Sequence, residues 1–184
     1  MSHYRRANFP GGYYFFTVVT YNRCSFLTTE LARLCLRHAW RYVCQRRPFE
    51  LYALCLLPNH LHCIWKLPDG DANFSTRWNS IKGIFTREYL RQGGQEAKRS
   101  SSQRKREEAA LWQRRFWEHQ IRDGDDLQNH VDYIHYNPVK HELVSKVEDW
   151  PWSTYHRFVR QGLYRGFDET EQLKSPEDFA CTGE

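Results

Sequence analysis

Hydrophobic and polar positions alternate with two different periods along this chain, and the periods define its elements. Short aromatic or β-branched runs bounded by Gly, Pro or Asn predict strands, whereas apolar residues that recur every three or four positions predict helices. The predicted strands are Tyr13 to Thr20, Glu50 to Leu57, Leu61 to Leu67 (opened by His60) and Phe116 to Arg122. The predicted helices run from Glu30 to about Arg46, from about Ser75 to Arg91 and from about Leu127 toward Asn137, with a continuing or kinked segment from Pro138 to Val144.

Each predicted helix has one apolar face. The faces comprise Leu31, Leu34, Cys35, His38, Tyr42 and Val43 in the first helix, Trp78, Ile81, Phe85 and Tyr89 in the second, and Val131 and Ile134 in the third. The order β-α-β-β-α-β, followed by a further helix, fits one antiparallel sheet with two helices against it. The predicted fold class is therefore α+β: a ferredoxin-like or RRM-like antiparallel sheet with helices on one face and an added C-terminal helix that carries Tyr133.

The length of 184 residues predicts one domain over residues 1–165 and a tail over residues 166–184. Residues 93–109 are polar and charged without periodicity, which predicts a mobile insertion or linker. No run of about 18 apolar residues is present, and the first residues do not form a secretory signal. We therefore expect a cytoplasmic protein without a membrane partner.

The charge balance indicates a polyanionic partner. The formal net charge is +5, arginine outnumbers lysine, and aromatic residues make up 16% of the chain. Guanidinium groups pair with phosphates and aromatic rings stack on bases. A basic surface over an aromatic core fits the same composition equally well, so composition leaves both interpretations open.

A pair of histidines is the first candidate for chemistry. His60, Leu61 and His62 open the third predicted strand, and side chains alternate across a strand, so both imidazoles point to one face and Leu61 to the other. Two imidazoles side by side can turn ring nitrogens toward one cation. On its own this pattern is commoner on ordinary surface strands, so a metal site requires a third ligand nearby.

The last predicted helix supplies further candidates. Tyr133 and Asn137 are four residues apart and therefore lie on one helical face, one turn from each other. Asn137 offers an amide oxygen, which suits a hard cation, and Tyr133 offers an oxygen nucleophile that can form a covalent intermediate with a phosphodiester. Packing of Tyr133 or Tyr136 on the sheet is the alternative, and the proline after Asn137 predicts a distorted helix end.

Five segments of the chain, in this order, resemble the single-tyrosine HUH transposases, and in particular the REP-associated tyrosine transposases of bacteria. The segments, within residues 4–164, are YRR with GGYYFFTVVT, RPFELYALCLLPNHLHCIWKLP, RFWEHQIR, VDYIHYNPVKHELV and DWPWSTYHR. The joint presence of LPNHLHCIW and DYIHYNPVKH is specific to this family.

This resemblance implies an RRM-like fold with the histidine pair on a central strand and the nucleophile on a following helix. His60 and His62 match the metal-binding histidines, Tyr133 matches the nucleophile, and Asn137 matches the polar residue that completes the metal site, whereas Tyr136 does not match the nucleophile. Family members cleave and rejoin single-stranded DNA beside short palindromic hairpins through a 5′-phosphotyrosine, using Mg2+ or Mn2+. The REP-associated members are thought to act on repetitive extragenic palindromes.

The resemblance also implies the partners. We expect single-stranded DNA with palindromic hairpins, Mg2+ or Mn2+ as the cofactor, and a monomer or homodimer associated with the nucleoid in the bacterial cytoplasm. The candidates for DNA contacts are Arg5, Arg6, Arg114, Arg115, Arg122, Trp117 and Trp152. Solvated arginines and buried tryptophans are the alternative for each of them. Residues 93–109 are longer than the family pattern, and His119 has no assigned role.

Two other functions fit parts of the pattern. A non-catalytic nucleic-acid-binding module with an RRM-like fold would need only the sheet and the positive charge. A metal-dependent hydrolase would use water as the nucleophile, with Tyr133 in a structural role. The covalent protein–DNA adduct distinguishes the transposase from both alternatives.

Overall fold

The structure, a computed structural model, describes residues 10–164. Its elements in chain order are β1 (Tyr13–Val19), α1 (Glu30–Arg46), β2 (Glu50–Leu56), β3 (His60–Lys66), α2 (Phe74–Arg91), α3 (Ser101–Lys105), β4 (Trp117–Gln120), α4 (Gly124–Lys140) and α5 (Tyr155–Arg160). Arg5, Arg6, the predicted domain boundary at residue 165 and the tail lie outside the described residues. Within residues 10–164, none of the helices is both long and apolar enough to cross a membrane.

The four strands form one sheet in the order β2-β3-β1-β4, and every neighbouring pair is antiparallel. Strand β3 is therefore an interior strand, as the predicted α+β fold requires. Its residue His62 is paired with Thr17 of β1 on one side and with Cys55 of β2 on the other. This register fixes the position of the histidine pair relative to both neighbouring strands.

The sheet has a different cover on each face. Leu61, Cys63 and Trp65 of β3 belong to a core with α1 and α2, where the Trp65 ring stacks on Trp78 at a centroid distance of 4.4 Å. Each large aromatic side chain removes roughly 150–250 Å2 of surface from water, so this core contributes most of the apolar burial. On the opposite face, Ile64 packs with Val131 and Ile134 of α4, which confirms the predicted inward face of that helix.

The predicted apolar face of α2 is confirmed, but that of α1 is wrong at three positions. Leu34, His38 and Tyr42 are exposed. The buried residues of α1 are Ala32, Cys35, Leu36, Ala39, Trp40, Val43 and Cys44. Apolar residues occur on nearly all sides of this helix, so periodicity fits two faces. The face with the fully buried Trp40 removes more apolar surface from water, and its alanines allow close approach to the sheet.

Residues 93–109 are more structured than their composition predicts. They contain α3, which Ser100 and Gln103 begin with a capping box. Just before this helix, the carboxylate of Glu96 accepts hydrogen bonds from Arg99 and from the backbone N–H of Ala110. Polar side chains rather than apolar periodicity thus hold the segment, and its mobility stays a prediction.

Helix α4 differs from its predicted bounds at both ends. It begins at Gly124 because the side chain of Asp123 accepts a hydrogen bond from the Asp126 N–H at 2.8 Å. Pro138 lies inside its last turn, and the helix ends at Lys140 instead of continuing to Val144. Asn137 therefore remains helical although a proline follows it.

Candidate active site

His60 and His62 lie on the face of β3 that α4 covers. Their side chains are almost fully buried, and their ring centroids are 4.8 Å apart. Nδ1 of His60 donates to Oδ1 of Asn59 at 2.6 Å, and Nδ1 of His62 is 2.9 Å from the hydroxyl oxygen of Thr17. These outer hydrogen bonds fix the ring orientations and leave both Nε2 atoms for another ligand.

Burial keeps both imidazoles neutral. It is the largest cause that lowers their pKa values from 6.5, to about 4 for His60 and about 3 for His62. The next cause is His141 for His60, and His60 itself for His62. Near neutral pH both rings therefore keep a lone pair for a metal ion.

Helix α4 brings Asn137 to this pair. Asn137 is completely buried, and its side-chain N–H donates to the Tyr133 carbonyl at 3.4 Å. Its amide opposes the lowering of the pKa of both histidines, so it favours positive charge at either imidazole. The strand and the helix thus bring the two imidazoles and the Asn137 amide together.

The donor set fits a divalent metal ion. Nε2 of His62 and Oδ1 of Asn137 are buried, and neither makes a hydrogen bond of acceptable geometry with any described residue. An unpaired buried polar group costs about 1–3 kcal/mol. A cation bound between these atoms would remove that cost, and imidazole nitrogen with amide oxygen is a suitable ligand set.

Tyr133 lies beside the pair, with 41% of its surface exposed. Its ring centroid is 5.2 Å from that of His62 and 6.0 Å from that of Phe15. Tyr136 is also exposed, at 56%, but within residues 10–164 it has no ring contact with either histidine. The nucleophile predicted from the sequence thus lies at the histidine pair and the neighbouring tyrosine does not.

Comparison with known proteins shows the family to which the chain belongs. The family model described as "Transposase IS200 like" matches residues 9–137 of the chain. The chain belongs to the IS200-like transposase family. An Escherichia coli K12 protein named "REP-associated tyrosine transposase" is 48% identical over 164 residues, covering 89% of this chain and 88% of the relative. A Haemophilus influenzae relative is 46% identical over 165 residues, covering 89% of this chain and 91% of the relative.

A solved structure extends the comparison to the fold. The structure of a REP-associated tyrosine transposase bound to a REP hairpin matches with a TM-score of 0.73 at 44% identity, covering 93% of this chain and 94% of that one. The fold of this transposase is therefore the predicted α+β fold, and the chain is an enzyme of the tyrosine transposase class. Membership of this family implies a divalent metal ion, and the side chains of His60, His62 and Asn137 are suitable ligands for such an ion.

This transposase has a second group of side chains of the types that can bind a metal ion. One atom each of His119, Asp126 and His130 lie within 4.8 Å of one another. Oδ2 of Asp126 accepts hydrogen bonds from Nε2 of His119 and from Nε of Arg122, both at 2.9 Å, and Nδ1 of His130 donates to the Asp126 carbonyl at 2.7 Å. The ligand atoms are thus already paired, and a guanidinium already neutralises the carboxylate. We interpret this group as a hydrogen-bonded cluster, called here the Asp126 cluster, that connects β4 to α4.

The predicted DNA contacts lie in different environments. Trp117 is 54% exposed, and its ring is 5.5 Å from Phe15, which also contacts His62 and Tyr133. Arg114 and Arg115 are exposed, Arg114 with an ion pair to Glu108. Arg122 is largely exposed beside the Asp126 cluster. Trp152 is half-buried, with the guanidinium of Arg33 3.7 Å from its ring centroid.

Two further residues at the C-terminal end of α4 reach the site, and sequence reasoning did not single them out. Nζ of Lys140 is 4.9 Å from the Tyr133 ring centroid, and the His141 ring is 5.1 Å from that of His60. They lie seven and eight residues after Tyr133, on the same helical stripe as Asn137. This spacing was the available signal, because positions i, i+4, i+7 and i+8 share one face.

Proposed function

We propose that this transposase cleaves and rejoins single-stranded DNA beside palindromic hairpins, with Tyr133 as the nucleophile and with His60, His62 and Asn137 as the metal ligands. The observation that carries this proposal is the Tyr133 ring 5.2 Å from the His62 ring, at a position where buried ligand atoms of His62 and Asn137 make no well-formed hydrogen bond with any residue of the range 10–164. Neither a binding module nor a structural tyrosine requires that arrangement.

The metal is Mg2+ or Mn2+ in this proposal. Bound there, it would neutralise a non-bridging phosphate oxygen and make the phosphorus more electrophilic. An amide ligand suits Mg2+, and two imidazole nitrogens shift the preference toward Mn2+. Thr17 orients the His62 ring and Asn59 orients the His60 ring, in each case through a hydrogen bond at the Nδ1 atom of the histidine.

The covalent step follows from the position of the phenol. The Tyr133 oxygen attacks phosphorus, the bond between phosphorus and the 3′ oxygen breaks, and the products are a 5′-phosphotyrosine and a free 3′-hydroxyl. The phenol proton passes to solvent, and the departing 3′ oxygen takes a proton from solvent. Because the new ester conserves the energy of the phosphodiester, a 3′-hydroxyl can reverse the reaction without a nucleotide cofactor.

The DNA substrate is the finer part of the proposal. The matched structure contains a REP hairpin, and this chain shares 44% identity with that protein. We assign DNA contact to exposed Trp117, Arg122, Arg114 and Arg115, whose sequence positions flank the site elements. Arg5, Arg6 and Trp152 remain candidates on the same chemical grounds. Since His62, Asn137 and Tyr133 of one chain meet, a monomer suffices for the reaction, and we place it with DNA in the bacterial cytoplasm.

The test is covalent capture of DNA. The protein is incubated with Mn2+ and an end-labelled single-stranded oligonucleotide that contains the palindrome of its host, and denaturing gels reveal label retained on protein. We expect Tyr133→Phe to lose the adduct while hairpin affinity changes less than about threefold. Tyr136→Phe is the matched control, because Tyr136 is an exposed tyrosine of the same helix.

The alternatives predict different results. Free cleavage products without an adduct would indicate hydrolysis by water. Hairpin binding without cleavage, and without any effect of His62→Ala, would indicate a non-catalytic module. Cleavage that survives Tyr133→Phe but not Tyr136→Phe would transfer the nucleophile to Tyr136.

A further inference from the structure

Lys140 has an unusual environment for a lysine in the last turn of a helix. Its ammonium nitrogen lies 4.9 Å from the centroid of the Tyr133 ring. Its charge also contributes, after burial and the two neighbouring histidines, to the lowered pKa of His62. Lys140 is exposed, and it forms no ion pair with an acidic side chain in the part of the chain that the structure describes. An uncompensated cation therefore stands beside both the phenol and the histidine pair.

We propose that Lys140 is a further catalytic residue, whose ammonium group stabilises negative charge on the Tyr133 oxygen during both cleavage and rejoining. This inference rests on the proposed function, because it assumes that Tyr133 attacks the DNA. It adds a role that neither the histidine pair nor Asn137 supplies, since those residues face the metal position.

The position of Lys140 assigns it to one side of the reaction. In a phosphoryl displacement the attacking and departing oxygens lie roughly in line, on opposite sides of phosphorus. The ammonium lies 4.9 Å from the ring centroid of the attacking residue, so we assign its effect to the tyrosine oxygen and not to the departing 3′ oxygen. In rejoining, the 3′-hydroxyl loses its proton to solvent as its oxygen attacks phosphorus, the bond between phosphorus and the tyrosine oxygen breaks, and the phenolate that leaves takes a proton from solvent. The same ammonium then stabilises that phenolate.

A purely structural role predicts something else. A lysine in the last turn of a helix interacts favourably with the helix dipole, and its removal would then lower stability slightly without affecting chemistry. Lys140 is placed to do more, because its ammonium contacts an aromatic ring whose substituent is the nucleophile. Fixed charges aimed at developing charge are a large source of catalysis.

The experiment separates chemistry from binding. Single-turnover rates of adduct formation are measured at saturating hairpin DNA for wild type, Lys140→Ala, Lys140→Gln and Lys140→Arg, with affinity measured separately by fluorescence anisotropy. Removing one such charge from a closed site slows reactions about 10²–10³-fold, and we expect about 10–100-fold here because Lys140 is exposed. Lys140→Arg should recover most of the rate, and hairpin affinity should change less than about threefold.

Rejoining provides the second measurement. The isolated covalent complex is mixed with an oligonucleotide that ends in a 3′-hydroxyl, and Lys140→Gln should slow its resealing by a similar factor, since one transition state serves both directions. Lys146→Ala is the matched control, because Lys146 is an exposed lysine six residues later whose ammonium lies 3.5 Å from Glu148. Its cleavage and rejoining rates should equal those of wild type.

The outcomes distinguish this inference from the proposed function. If wild type forms no adduct, the proposed function is wrong and the role of Lys140 falls with it. If wild type reacts and folded Lys140→Gln reacts within about threefold of it, the inference alone is overturned. It is also overturned if the variants lose DNA affinity but keep the saturated rate, because Lys140 would then be a phosphate contact.

Discussion

Replacing Asp126 tests how α4 is held against the sheet. The carboxylate is 6% exposed and accepts hydrogen bonds from His119, from the Arg122 guanidinium and from the Arg122 backbone N–H. Hydrogen bonds to a charged group are worth about 1.5–3 kcal/mol. Arg122 is largely exposed, so its ion pair adds little beyond this range. We expect Asp126→Ala to lower the free energy of unfolding by about 2–3 kcal/mol.

Thermal unfolding measures this loss. For a domain of this size each kcal/mol corresponds to about 2–4 °C in Tm, so Asp126→Ala should melt about 4–12 °C below wild type. Asp125→Ala is the matched control, since Asp125 is an exposed acid in the same first turn. A loss at neutral pH that does not exceed that of the control by more than about 0.5 kcal/mol would refute the reasoning.

The stability that Asp126 contributes should also depend on pH in a defined direction. The hydrogen bond from Arg122, and secondarily that from His119, holds the pKa of Asp126 well below its usual range. A lowered carboxyl pKa contributes stability that is fully present above the unfolded value, about 3.9, and that is lost as the pH falls below it. The difference between wild type and Asp126→Asn should therefore be constant from pH 7 to about 5 and shrink below about pH 4.

The Asp126→Asn variant also tests whether the Asp126 cluster holds a metal. If it does, Mn2+ or Zn2+ will raise the Tm of a His60→Ala/His62→Ala double variant, and adding Asp126→Asn will remove that increase. If the cluster is held by hydrogen bonds alone, as we interpret it, neither metal will change the Tm of the double variant.

Two further predictions concern pH and DNA. Burial lowers the pKa of His135 from 6.5 to about 3, so the unfolded state binds its proton first as the pH falls below about 6.5. The folded state should therefore lose up to about 1.4 kcal/mol per pH unit below that value, and His135→Gln should remove this part of the slope in urea titrations; an unchanged slope would contradict it. Trp117→Ala should weaken binding of single-stranded DNA about 5–150-fold, since stacking on one base is worth about 1–3 kcal/mol, whereas Trp117→Phe should keep most of the affinity in anisotropy titrations. Equal affinities for Trp117→Ala and wild type would remove Trp117 from the DNA contacts.

The parts of the site that follow from local periodicity could be predicted from the sequence. A period of two places His60 and His62 on one face of β3, and a spacing of four places Tyr133 and Asn137 one turn apart. Both local expectations are confirmed by the geometry. The family resemblance was also needed to predict that the histidine pair and the two residues of α4 lie together. No local rule states which helix covers which face of a sheet.

The parts that depend on packing between distant elements could not be predicted in this way. The buried face of α1 was ambiguous because apolar residues surround that helix, and only the match of Trp40 to Trp65 and Trp78 selects one face. The role of His119 depends on Asp126, which is seven residues away on another element. The capping box of α3 was a visible local signal, Ser100 followed by Gln103, within a segment that composition alone predicts to be mobile.

The candidate active site lies at the interface between strand β3 and helix α4. Residues far from the site can therefore affect the cleavage rate through the packing of this interface. The strand fixes the histidines by its pairing to both neighbours, but the position of Tyr133 depends entirely on how α4 docks. Val131 and Ile134 bury the middle of that helix, and the Asp126 cluster ties its first turns to β4. A shift of about 1 Å in a reacting group can cost about 100-fold in rate. Loss of the Asp126 cluster should therefore slow cleavage even at temperatures where the variant is folded.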